Sequence, residues 1–179
     1  YQVTVRENAK KRLKYNPRNL GTLVGNVAAH YAGESDESVI ARMLFSEYAT
    51  SMNEHLWVLQ NRLRANLANS PDPFRDANPN EPSIRGLILG AKQFNGMATN
   101  RATDPSSLFG RSGERETWEA CVDKSFELTS GNSPVVPEGF IFFYTVGDKY
   151  TEHKCFGITV GKTWFYINEN EWGISLSVD

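Results

Sequence analysis

The sequence predicts an α+β protein, with helices first and a small antiparallel sheet last. Three observations carry this reading. Apolar residues recur at helical spacing in segments up to about residue 130. Three short runs rich in aromatic and β-branched residues follow. No strand–helix–strand alternation argues for a parallel sheet.

Residues 1–34 hold a short alternating stretch from Gln2 to Arg6, a basic segment and a Gly-containing apolar segment ending at Gly33, and no clear element emerges there. From Ser35 the pattern sharpens: Ser35 and Asp36 are good N-caps, and Val39, Ile40, Met43 and Leu44 predict a helix over 36–49. A second helix is expected from Asn53 as its cap to about Asn69, with Leu56, Leu59, Leu63 and Leu67 on one side. Pro71, Pro73, Pro79 and Pro82 make the next stretch a loop. Ser83 caps a short helix with Ile84, Leu87 and Ile88, and a polar loop runs from Gln93 to about Ser112. A helix over 114–130 presents Trp118, Cys121, Val122 and Ser125 on one side and stops at Gly131. The strand runs are Phe140–Val146, Cys155–Val160 and Thr163–Asn168, with Gly161-Lys162 as a tight turn.

A chain of 179 residues fits one domain. Its 40% hydrophobic and 22% charged residues are a globular mixture, and no apolar run is long enough to span a bilayer. A net charge of −2 gives no field that implies nucleic acid; the basic run Lys10, Lys11, Arg12, Lys14 and Arg18 reads as a solvated face. The chain opens at Tyr1 rather than Met, and the expectation is an exported protein whose upstream segment has been removed. Cys121 and Cys155 read as two buried thiols, with a disulfide as the alternative.

Chemistry points first to Glu47. Advancing about 100° per residue from Ile40 puts Glu47 at about 340°, between Met43 at about 300° and Leu44 at about 40°. A carboxylate on that apolar side must keep its proton with a raised pKa or be met by donors from a cleft, and both outcomes suit a general acid. The bland reading is a helix-end carboxylate reaching solvent or a buried salt bridge; a Glu47 sealed in the core or paired with Arg62 would count against catalysis. Gln60, on the side of Leu56, Leu63 and Leu67, reads as an amide needing partners. His30, His55 and His153 fit no zinc motif, and neither metal nor cofactor is expected. His153 and Cys155 share a strand face, the weak alternative of a metal pair or a thiol with its base. Neither a Gly-x-Ser-x-Gly elbow nor a phosphate-cradling Gly-rich loop is present.

Several blocks, in order, resemble the cell wall hydrolases typified by the spore cortex-lytic enzymes (SleB-like). Ala41-Arg42-Met43-Leu44-Phe45-Ser46-Glu47 resembles the helix leading to that family's catalytic glutamate. Val58-Leu59-Gln60-Asn61-Arg62-Leu63 resembles its apolar, Asn-Arg, apolar segment, and Gln93-Phe94-Asn95 its Gln-Phe-Ser loop. Trp118 to Gly131, then Gly139-Phe140-Ile141-Phe142-Phe143-Tyr144, matches its helix before an aromatic strand, and Ile158 to Tyr166 its last hairpin. The resemblance covers about residues 36–166, leaving 1–35 as an extension. Tyr48-Ala49-Thr50-Ser51 stands where the family has Ala-Arg-Gly-Glu, so the second glutamate has no counterpart, and Thr163 lies near the place of a usual histidine.

The resemblance implies a lysozyme-like fold, mainly helical, acting as a monomer on peptidoglycan between N-acetylmuramic acid and N-acetylglucosamine. Lytic transglycosylation needs Glu47 alone, as acid and then base. A hydrolase would add a carboxylate about 5 Å or about 6.5–9.5 Å away, with Asp104, Asp123 and Asp148 unranked for that role. Gln93, Asn95 and Tyr144 are expected to hydrogen-bond the sugar, and Phe94 and Phe143 to contact it; they read equally as loop structure and sheet core. The rival is a wall-binding or interaction module without activity. A toxin or phage lysin would share the chemistry.

Overall fold

The computed structural model describes residues 2–47, 51–68, 74–91 and 93–132 in full, and the backbone of 142–145, 157–160 and 163–166. The described part is mainly helical: α1 (Gln2–Tyr15), α2 (Val27–His30), α3 (Asp36–Ser46), α4 (Met52–Ala68), α5 (Ile84–Leu89), α6 (Asn100–Thr103) and α7 (Glu114–Thr129). No described helix is long and apolar enough to cross a membrane.

Helix α3 is the hub, packed against α5, α6 and α7. Ser35 caps it by accepting from the Ser38 amide, and Asp36 and Glu37 in its first turn complement the dipole. Val39, Ile40, Ala41, Met43, Leu44 and Phe45 are all buried, each large side chain contributing about 1.5–3 kcal/mol. Across from them lie Trp118, Cys121 and Val122 of α7, with Phe45 and Trp118 meeting edge to face at 5.5 Å. Cys121 is a buried free thiol, which burial makes harder to ionise; Cys155 lies outside the described residues. Helix α7 ends as its sequence predicts. Gly131 adopts φ 86°, its amide bonds Leu128 O, and the Asn132 amide bonds Glu127 O, closing both turns of a Schellman motif.

The buried stripe of α3 includes one guanidinium. Arg42 is fully buried and donates to Ser38 Oγ, Glu34 Oε1, Arg18 O, Ala102 O and Thr103 O at 2.7–3.1 Å. A buried arginine is tolerable only when its donors are met in this way.

Three expectations are corrected. Residues 2–15, where the sequence shows no clear element and only Gln2 to Arg6 alternates, form a helix, yet α1 buries none of its residues. It is tied down by polar contacts: Arg6 to Glu37 and Phe126 O, Lys10 and Lys14 to Asp123, and the Trp118 indole to Leu13 O. The basic run is therefore only partly a solvated face. In α4, Asn53 lies inside the helix rather than capping it, and Leu67 is 65% exposed. The buried stripe runs instead through His55, Leu56, Val58, Leu59, Arg62, Ala65 and Asn66. The stretch after Gln93 is not an open loop. It winds through a 3-10 turn at Asn95–Ala98, then α6, then a second 3-10 turn at Pro105–Leu108, and buries Met97, Ala102, Thr103 and Pro105.

Helix α5 starts where Ser83 accepts from the Gly86 amide at 2.9 Å. Gly86 has no room for a side chain, because a Cβ there would collide with the Asp76 carboxylate, which holds the Asn78 and Ser83 amides. In the last part of the chain, β1 (Phe142–Thr145), β2 (Gly157–Val160) and β3 (Thr163–Tyr166) form an antiparallel sheet in the order β1-β3-β2. Tyr144 stands opposite Trp164, Phe143 opposite Phe165 and Val160 opposite Thr163. The expected Gly161-Lys162 turn and the pair His153 and Cys155 lie outside the described residues.

Candidate active site at the end of α3

Glu47 follows the last turn of α3, its amide bonded to Met43 O at 3.0 Å. The helix ends firmly there. Ser46 Oγ returns to Met43 O, and the Arg101 guanidinium donates from Nε to Phe45 O at 2.6 Å while lying 4.0 Å from the centre of the Phe45 ring. A cation on a C-terminal carbonyl is favourable with respect to both hydrogen bonding and the helix dipole. Arg101 is in turn fixed by a two-pronged bond to Glu114, at 2.8 and 2.6 Å.

The segment from Gln93 reaches this end of α3 through Gly96. A methyl group built on Gly96 would stand 2.6 Å from Ser46 Oγ and 3.2 Å from Glu47 Oε1, so the backbone approaches Ser46 more closely than a side chain would allow and runs close beside the Glu47 carboxyl. The approach is held from the other side by Tyr31, whose buried hydroxyl donates to Met97 O at 2.6 Å. Burial raises the Tyr31 pKa to about 12, with Arg42 opposing and Glu34 adding to the shift.

Glu47 is half-buried rather than sealed in the core. Burial pushes its carboxyl up to about 6, against the opposing charge of Arg62. Desolvation thus outweighs the attraction of the nearby charge. Arg62 itself is 8% exposed, with its guanidinium 5.1 Å from the Phe74 ring centre and 5.7 Å from that of Phe94. On the same helix, His55 is buried, and its Nδ1 lies 2.8 Å from Ser51 O and 3.0 Å from Ser51 Oγ. Burial draws the His55 pKa down to about 4; the bond to the Ser51 backbone resists this and the Arg62 charge adds to it.

Of the residues expected to hold substrate, Gln93 is half-buried and Asn95 exposed, both on the segment that meets Glu47. Phe94, 4% exposed, belongs to the hydrophobic core beneath Arg62. Phe143 and Tyr144 take their places in β1 by backbone pairing. Asp123 is occupied by Lys10 and Lys14 of α1 at 3.1 and 2.7 Å, and Asp104 accepts from Ser106 Oγ. Asp148 lies outside the described residues. The Gln60 amide nitrogen is buried without a partner among the described residues.

Two clefts of about 290 and 300 Å3 lie beside α1, the first lined by Arg12, Asn16, Arg18 and Glu34, the second by Val5, Arg6, Glu37 and Phe126. Neither is lined by Glu47. The site at α3 is instead a meeting of the helix end and the Gly96 turn. Sequence reasoning passed over Arg42, Gly96, Arg101 and the Ser51–His55 pair. Polar residues four apart, as in Glu34, Ser38 and Arg42, were the available signal for the first; a lone sequence has none for Gly96. No family model matches the chain, and neither a curated protein nor a solved structure matches it.

Proposed function

We propose that the chain cleaves peptidoglycan glycan strands between N-acetylmuramic acid and N-acetylglucosamine, on a lysozyme-like fold, with Glu47 as the one essential carboxyl. The observation that carries this reading is a half-buried carboxyl at the end of α3, beside the Gly96 turn, which burial pushes up to about 6. Such a group is a competent acid near neutrality. Proton donation from Glu47 to the glycosidic oxygen breaks the bond to the muramic C1. The carboxylate then takes the proton of the muramic 6-hydroxyl, whose oxygen bonds to C1 and closes the anhydro ring. Arg62 is the charge acting on Glu47 among the described residues, and no second carboxylate is assigned. Transglycosylation asks for no second carboxylate, whereas a hydrolase would need one as nucleophile or base. Gln93 and Asn95, with Tyr144 of β1, are the proposed hydrogen-bonding partners of the sugar, and Phe143 its apolar contact. Peptidoglycan places the working protein outside the cytoplasm, acting as a monomer without cofactor.

The test is mass spectrometry of fragments released from purified peptidoglycan. Anhydro-muropeptides from the native protein, absent with Glu47→Gln, support the proposal. Reducing ends would replace transglycosylation by hydrolysis. Binding to sacculi with no released fragment from several wall types would overturn catalysis in favour of a wall-binding module.

A further inference from the structure

A carboxyl stays desolvated only as long as the walls around it stay closed. Glu47 follows the last turn of α3, and the wall beside it comes from a separate stretch of chain, the Asn95–Ala98 turn. A single 3-10 turn has little to hold it in place by itself. Whatever fixes that turn therefore fixes the surroundings of the carboxyl.

Two side chains from different parts of the chain hold it. On one side the buried Tyr31 hydroxyl donates at 2.6 Å to Met97 O, the carbonyl next after Gly96. Tyr31 is anchored in turn by Arg85 of α5, whose Nη2 donates to its carbonyl at 2.8 Å. On the other side Arg101 of α6 donates from Nε to Phe45 O at 2.6 Å, two residues before Glu47. The same guanidinium grips the Glu114 carboxylate of α7 with both terminal nitrogens, at 2.8 and 2.6 Å. The turn and α6 are joined, because the Thr99 amide and hydroxyl both donate to Gly96 O, at 3.0 and 2.6 Å. Both the turn and α6 pack on α3.

We propose that Tyr31 and Arg101 are positioning residues for Glu47, a two-sided clamp that holds the Asn95–Ala98 turn against the end of α3 and so keeps water from the carboxyl. This rests on the reading of Glu47 as the catalytic acid. A loosened clamp admits water, which favours the carboxylate, and the acid form is then lost at lower pH.

The experiment is a carbon-13 NMR titration of the Glu47 carboxyl in the whole protein, without substrate, using Glu47→Gln to assign the signal. Tyr31→Phe removes one oxygen from a side chain that is neutral throughout the titration. Arg101→Lys keeps the charge and loses the planar fork that meets Phe45 O and Glu114 together. Both variants leave in place Arg62, the charge opposing the Glu47 shift, and Glu114, and the turn itself carries no titratable group. Circular dichroism reports folding of each. Both are expected to lower the Glu47 midpoint from about 6 by at least about half a pH unit toward the ordinary 4.5. Asp123→Asn frees Lys10 and Lys14 of α1 without touching the clamp, and should keep the native midpoint. A midpoint unchanged in either folded clamp variant, or lowered as far by Asp123→Asn, overturns the proposal. In peptidoglycan digestion the alkaline limb of both clamp variants should move down by the same amount, with KM changed less than kcat. If the native protein cleaves no wall, the reading of the reaction fails, and the titration still decides whether the clamp governs Glu47.

Discussion

Gly96 and Ser46 meet in the space a side chain would need: a methyl group on Gly96 would lie 2.6 Å from Ser46 Oγ and 2.9 Å from its Cβ, with Glu47 Oε1 at 3.2 Å. Gly96→Ala must therefore push the turn away from α3, at a cost of about 1–3 kcal/mol. Ser46→Gly removes the obstructing atoms. The pair Gly96→Ala with Ser46→Gly should recover at least about 1 kcal/mol relative to the sum of the single changes. Urea unfolding of the four proteins measures this coupling, and additive losses would show that the turn does not press on Ser46.

Acid titration separates two buried groups with opposite signs. Glu47 has a folded pKa raised to about 6 from 4.5, so its contribution is present below about pH 4.5 and is lost as pH rises through about 6, a swing of about 2 kcal/mol. His55 has a folded pKa depressed to about 4 from 6.5; its contribution is present above about pH 6.5 and is lost on acidification toward pH 4, a swing of about 3 kcal/mol. Stability against pH should thus fall more steeply on acidification in Glu47→Gln than in the native protein, and less steeply in His55→Gln. Parallel curves would contradict both assignments.

Under the proposed reaction, the rate of wall digestion should follow the same carboxyl. As the acid form of Glu47 is lost above about pH 6, kcat/KM declines about tenfold per pH unit on the alkaline side. Activity that persists with the same alkaline limb in Glu47→Gln would detach that limb from Glu47.

Helix α1 should respond to salt. It buries no residue and is held through Arg6–Glu37, Lys10–Asp123 and Lys14–Asp123, contacts between partly exposed charges. Raising ionic strength to about 1 M shortens the screening length to about 3 Å. Hydrogen exchange of the α1 amides should then accelerate severalfold, while α3 and α7 keep their protection. Asp123→Asn should reproduce the effect at low salt.

Cys121 should resist alkylation in the native state. Its thiol is buried and hard to ionise. Mass spectrometry of the Cys121 peptide should show iodoacetamide labelling only after denaturant is added, and labelling in buffer would expose an opening between α3 and α7.

Where local chemistry alone settles an element, the sequence was easy to read. Ser35, Ser83 and Gly131 sit at their helix ends because caps and a left-handed residue act within a few positions. Leu67 was misplaced because the true buried stripe of α4 is polar at His55, Arg62 and Asn66, so counting apolar residues turned the helix away from its own core. Helix α1 was missed for a related reason: charges attach it, and charges carry no apolar period. The stretch after Gln93 hid its burial because 3-10 turns too short to repeat leave no rhythm. For the candidate site, Glu47 stood out as a carboxyl on an apolar face, while Gly96 and Arg101 depend on neighbours brought from another part of the chain.

Arg42 draws its acceptors from far along the sequence: Arg18 lies 24 residues before it, and Ala102 and Thr103 lie 60 and 61 residues after it. Until all three segments arrive, the guanidinium is better off in water, and closing loops of that length is slow. Withdrawing any one of them leaves a cation stranded in a dry interior. Through this one side chain the N-terminal segment, α3 and the turn around α6 share a single set of buried hydrogen bonds.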